Sequence, residues 1–233
     1  MKGGNRQASE SFRLSAILSF SGGLQDAYTY NVRDRVFANA QTGNVVLMSQ
    51  NFMQGRMLQG LRYLFPLLCF ALGILAAERI GFRFRDAKRL HWRQIILLLE
   101  ILLLGIVGFI PDSYHMAANM LVSLSCAMQV QAFRTVHGYG YASTMCIGNL
   151  RSGTESLSQY LRSRDPEAGN KVLHYYGIIL VFALGAGTGG VLSGLFGIRT
   201  VWICVALLAG CFFLMYHYSE PKEPLRDNVT VHS

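Results

Sequence analysis

Two short stretches of this chain set uncharged polar side chains among apolar neighbours, and their residue types suit one kind of chemistry, hydrogen bonding to a solute. The first, 38 to 44 (ANAQTGN), offers Asn39, Gln41, Thr42 and Asn44; the second, 142 to 149 (ASTMCIGN), offers Ser143, Thr144 and Asn149. Amides and hydroxyls both donate and accept. A glycine beside each Asn permits a helix break or close backbone approach, which frees carbonyl and N–H groups to meet the same solute. Such groups cost roughly a few kcal/mol each against hydrocarbon, so a cluster of them implies a protein-lined or hydrated interior. The competing reading is structural, with Gly and Asn serving close helix contact and interhelical bonding.

Charged groups in apolar surroundings are fewer. Asp26 precedes the first stretch, where a buried carboxylate suits proton or cation coupling with Arg134 or Arg151 as partner; otherwise it is a helix-end Asp satisfied by water or by Arg33 and Arg35. Glu100 interrupts the run IILLLEILLL and is expected to face the bundle interior, as a relay or as a packing or oligomer contact. The six histidines show no H-E-x-x-H spacing, and no Gly-rich nucleotide loop or Gly-x-Ser-x-Gly elbow is present. Cys69, Cys126, Cys146, Cys204 and Cys211 lie in apolar surroundings without metal-ligand spacing and read as packing residues. Neither enzyme chemistry nor a metal or cofactor is expected.

The elements that must carry these residues follow from hydropathy. Of the 233 residues, 52% are hydrophobic and 15% charged, more apolar than a water-soluble domain of this length requires. Apolar blocks run at about 12 to 31, 61 to 80, 93 to 110, 116 to 136, 173 to 195 and 199 to 218. Each is long enough for a helix to cross a hydrocarbon core at about 1.5 Å per residue, which predicts an all-α, polytopic transmembrane bundle. The net charge of +8 comes from Lys and Arg clustered in the links, a topological signal that argues against nucleic acid.

The most basic link, with Arg79, Arg83, Arg85, Lys88, Arg89 and Arg93, belongs in the cytoplasm by the positive-inside rule. Counting outward from it places both termini in the cytoplasm and the links at Asp112 and Gly197 outside. Residues 32 to 60 fit this count poorly, because they are exported with Arg33, Arg35 and Arg56. An eight-span alternative lets 36 to 54 cross, at the expense of exporting the basic stretch 162 to 171.

An internal repeat joins the two polar stretches. The segment starting at Asp26 (DAYTYNVRDRVFANAQTGNVV) aligns without a gap on that starting at Gln131 (QAFRTVHGYGYASTMCIGNLR), so that Gly43-Asn44 meets Gly148-Asn149. FALG at 70 to 73 recurs at 182 to 185. The chain therefore divides into half-repeats 1–110 and 111–218, each with three spans and a Gly-Asn segment, and a polar tail 219–233. Three spans per half make the repeats inverted, as in many transporters; four would make them parallel.

The strings DAYTYNVRDRVFANAQTGNVVLMSQ and ASTMCIGNLRSGTESL resemble the YoaK-like family of bacterial membrane proteins over nearly the whole chain. That resemblance, to a domain of unknown function, implies a multi-spanning protein of the bacterial cytoplasmic membrane and supplies no substrate. Ile147 stands where such proteins often have Thr, so no hydroxyl role is carried to that position.

The expectation is a small-solute permease whose halves rock about a midplane site built from Asp26, Asn39, Gln41, Thr42, Asn44, Gln131, Thr144 and Asn149. Asp26, Glu100, Arg134 and Arg151 are the candidate coupling or relay groups. A passive channel is the alternative, as is a non-transporting scaffold or sensor whose glycines Gly185, Gly189, Gly190 and Gly194 bind partner helices. The expected partners are the lipid bilayer and an unidentified small solute, and a homo-oligomer is compatible with this reading.

Overall fold

The computed structural model describes residues 12–84, 91–136, 139–140, 143–144 and 146–217. The tail at 219–233 and the link residues Arg85, Lys88 and Arg89 lie outside the described residues. The protein is all-α: α1 Phe12–Val32, α2 Gln41–Met53, α3 Met57–Arg83, α4 Trp92–Val107, α5 His115–Ala132, α6 Cys146–Ser163, α7 Pro166–Phe196 and α8 Val201–His217. A two-residue antiparallel bridge, Thr135–Val136 with Tyr139–Gly140, lies between α5 and α6.

Local chemistry sets the helix ends. Asp165 caps α7 by accepting the Glu167 N–H, with Pro166 in the first turn, where its missing donor is harmless. Gly197, at φ +55°, ends the same helix in the left-handed region that glycine enters freely. His91 and Gln94 form a reciprocal cap at the start of α4. The apolar blocks coincide with α1, α3, α4, α5, α7 and α8, and the two polar stretches open the short helices α2 and α6. Two stretches, Met57–Arg83 and Pro166–His217, are long and apolar enough to cross a membrane.

The bundle buries polar groups beside an apolar core and exposes many large apolar side chains. Ser15, Ser19, Ser21, Gln25, Asp26 and Thr29 of α1 are buried, whereas Leu72, Leu75, Leu102, Leu173, Leu180 and Phe213 are more than half exposed. Interior packing relies on glycine. Gly23 and Gly185 bring the α1 and α7 backbones together so closely that a Cβ at either would collide with a carbonyl, of Phe182 or Phe20 respectively. Gly73 plays the same part between α3 and α5, against the Leu124 carbonyl. The remaining major pairs are α2 with α3, α6 with α7, α4 with α5, α8 with α1, and α4 with α8.

Two buried arginines fix which helix ends lie together. Arg33, fully buried, donates to the carbonyls of Val107 (3.1 Å), Ile110 (2.8 Å) and Pro111 (3.3 Å), and its Nε donates to the Tyr28 hydroxyl at 2.8 Å. It thereby supplies a donor to the Ile110 carbonyl and a second one to the carbonyls of Val107 and Pro111, which also accept the N–H groups of Ile110 and Tyr114. Asn119 bonds the Arg33 carbonyl, so the start of α5 is at this same end. Arg93 donates to the Ala132 carbonyl at 3.0 Å, which puts the start of α4 and the end of α5 at the opposite end.

Candidate functional site

The turns that precede α2 and α6 both come back to the middle of α1. After α1 ends beside Arg33, the chain reverses, and at Asn39 the side-chain Nδ2 donates to the Gly22 carbonyl at 3.3 Å, half-way along α1. From the other half, the Thr144 methyl packs on Gly22, leaving no room for a Cβ there. Beside it, Gln129 Nε2 donates to Ser143 Oγ at 3.1 Å and to the Leu18 carbonyl at 3.3 Å. The two polar stretches thus meet at Gly22, and from that level their helices run opposite ways. α2 leads to the start of α3, where Arg62 pairs with Asp34 near the Arg33 end. α6 leads to the start of α7, whose His174 meets Phe12 edge-to-face at the far end of α1.

Asp26 lies beside this junction. Its Oδ1 accepts the Asn39 N–H at 2.7 Å, and the backbone groups of Ala38 and Ala40 bond to it as well. The carboxylate therefore caps α2 from another helix; Ala40, the residue at the cap position, has no side chain able to do so. The same carboxylate is within electrostatic reach of Cys146, the first residue of α6. No arginine among the described residues approaches it. Arg33 is bound at the end of α4, Arg134 pairs with Glu78 at 4.0 Å, and Arg151 pairs with Glu155 at 2.9 Å on the exposed face of α6.

The other expected site residues separate into those that reach the junction and those that do not. Asn44 is fully buried and its amide brackets Phe37, accepting its N–H at 3.0 Å and donating to its carbonyl at 2.7 Å, while also donating to Gln41 Oε1. It holds the first turn in shape. Gln41 returns a bond to the Ala38 carbonyl. Thr42 is exposed on α2, Asn149 is buried with a partner of its own, and Gln131, the counterpart of Asp26, donates to Glu78 on α3. Asn39 and Thr144 are the expected residues that stand at Gly22 itself, joined by Asp26 beside them.

Residues that sequence reasoning passed over complete the junction: Gly22, Gln129 and, behind them, Gln25 with Cys126, whose thiol donates to Gln25 Oε1 at 2.9 Å. Their signal was present, since Ser15, Ser19, Gly22 and Asp26 follow one another at helical spacing and mark a small, polar face of α1. Glu100 is fully buried on α4 and faces Cys126 of α5 and Cys211 of α8, with neither carboxyl oxygen bonded among the described residues. Three oxygens at the junction also lack a partner among the described residues: Asn39 Oδ1, Gln129 Oε1 and Thr144 Oγ1. An arrangement of this kind can hydrogen-bond a guest molecule; among the described residues no nucleophile is paired with a base there.

No curated protein and no solved structure gives a match to the chain. The family model described as Protein of unknown function (DUF1275) matches residues 14–214, and the chain belongs to that family.

Proposed function

We propose that this chain is a permease for a small solute in the bacterial cytoplasmic membrane, with the junction at Gly22 as its central site. Six helices, α1, α3, α4, α5, α7 and α8, span the bilayer, and α2 and α6 are re-entrant half-helices that start at mid-depth and run to opposite faces. The outward-facing leucines and the buried polar groups support a lipid setting, because hydrocarbon rewards that polarity and water penalises it.

An inverted two-fold relation between the halves is supported by the packing. Exchange α1–α4 for α5–α8 and the pairs map onto one another: α1 on α7 with α5 on α3, α2 on α3 with α6 on α7, and α4 on α5 with α8 on α1. Gly73 and Gly185, equivalent in the repeat, meet equivalent levels of α5 and α1, at Leu124 and Phe20. Re-entrant segments also account for residues 32 to 60, whose Arg33 is an internal ligand of α4 and carries no topological signal.

The observation that carries the reading is the convergence of Asn39 and Thr144 on Gly22 at the centre of α1. The Thr144 methyl closes that point, which favours a permease that must rearrange over an open channel. A cleft of about 310 Å³ lined by Asp34, Arg62, Phe65 and His115 lies where α3 and α5 start. Solute uptake by liposomes containing the purified chain tests the proposal. Saturable uptake above protein-free vesicles is expected; uptake that grows linearly with concentration replaces permease with channel, and none at all favours a scaffold.

A further inference from the structure

We infer that the junction at Gly22 is electrically balanced, and that the solute it takes is small, uncharged and rich in hydrogen-bond donors. This rests on the permease reading and names its substrate class. The starting N–H groups of a helix carry roughly half a positive elementary charge. Two helices, α2 and α6, start at this junction, so together they contribute about one positive charge. Asp26 contributes one negative charge, bonded to the Asn39 N–H at 2.7 Å and within electrostatic reach of Cys146 at the start of α6. The sum is near zero. Arg33, Arg134 and Arg151 are bound elsewhere, and Glu100 faces Cys211 and Cys126, which Asp26 also faces; with neither oxygen bonded among the described residues, Glu100 is counted as uncharged.

Each class of ion is opposed by one component. An anion approaches the Asp26 carboxylate and a cation approaches two helix starts, and both lose hydration with no fixed counter-charge in return. An uncharged solute bears none of these costs. The atoms left unpaired among the described residues say what it carries. Gln129 spends its Nε2 on the Leu18 carbonyl and Ser143, and Asn39 spends its Nδ2 on the Gly22 carbonyl. The ends left over, Gln129 Oε1 and Asn39 Oδ1, are acceptors, with the Thr144 hydroxyl beside them. All three residues are at least 95% buried, at 1%, 4% and 5% exposure. The complement of such a set is a molecule that presents N–H or O–H groups, such as a urea-like amide or a small polyol.

Liposomes containing the full chain, challenged separately with urea, glycerol, nitrate and methylammonium, test this. Urea or glycerol is expected to enter faster than into protein-free vesicles, and the two ions at the protein-free rate. Asp26→Asn leaves both helix starts uncompensated and is expected to raise nitrate entry about tenfold or more, whereas Asp26→Glu keeps nitrate out. Wild-type protein that passes nitrate or methylammonium as readily as urea overturns the inference and leaves the permease reading standing. If none of the four probes enters, both fall. A folded Asp26→Asn variant that still excludes nitrate also overturns the inference, and where that variant does not fold the wild-type panel decides.

Discussion

The turn before α2 and the turn before α6 reach the same point of α1 and are held in different ways. The first is fixed by buried hydrogen bonds from strong groups: Arg33 on three carbonyls, Asn44 around Phe37, and Asp26 on the Asn39 N–H. In the second, Gln131 and Arg134 are both directed to Glu78, Ser143 accepts from Gln129, Asn149 has a partner of its own, and among the described residues the Thr144 hydroxyl is unpaired. The lesson is a division of labour. The first turn is a wall that supplies the balancing charge, and the second presents the Thr144 hydroxyl, unpaired among the described residues, to whatever occupies the junction.

Breaking the wall should have the largest effect. Arg33→Met leaves the Ile110 carbonyl without its donor and removes the second donor of the Val107 and Pro111 carbonyls, which keep the N–H groups of Ile110 and Tyr114. A loss of about 1–3 kcal/mol is expected, read as a fall in thermal unfolding temperature in detergent, because a buried acceptor left unpaired costs about that much. Gly23→Ala attacks the helix that carries both turns, since its Cβ would strike the Phe182 carbonyl and backbone cannot turn aside as a side chain can. About 1–3 kcal/mol is expected from such overpacking, with a loss of folded yield.

Asn44→Ala tests the first turn alone by releasing both polar groups of Phe37. The expected cost is about 1–2 kcal/mol in thermal stability, and hydrogen exchange at Phe37 should accelerate. Thr144→Val is the contrasting probe, because the hydroxyl makes no bond among the described residues. Stability should stay within about 0.5 kcal/mol of wild type while solute entry falls several-fold. Should Thr144→Val destabilise as much as Asn44→Ala, the division between the two turns is wrong.

Much of this was legible in the sequence, and the boundary is physical. The apolar blocks announced α1, α3, α4, α5, α7 and α8, since length and hydropathy are local properties. The polar stretches announced two turns with buried polar groups, and Asn39, Thr144 and Asp26 lie beside Gly22. What local pattern could not reveal is which partner each polar group takes. Asn44 looked like a solute ligand, yet its amide is consumed by Phe37 seven residues earlier. Arg33 looked like a topology signal, yet its partners lie 74 to 78 residues away at the end of α4. Gly22 and Gln129 were overlooked because a glycine pair and a lone amide within a span are ordinary packing features until the turns folded onto them are seen.

The central claim is that α2 and α6 leave the middle of the molecule for opposite faces of the membrane. Single cysteines at the exposed ends of these helices, Gln54→Cys and Arg162→Cys in an otherwise cysteine-free chain, test it directly with a membrane-impermeant thiol reagent on intact cells. Labelling of Gln54→Cys from outside, with Arg162→Cys labelled only after permeabilisation, is the expected result. Labelling of both from the same side would contradict the re-entrant arrangement, and with it the inverted relation of the halves.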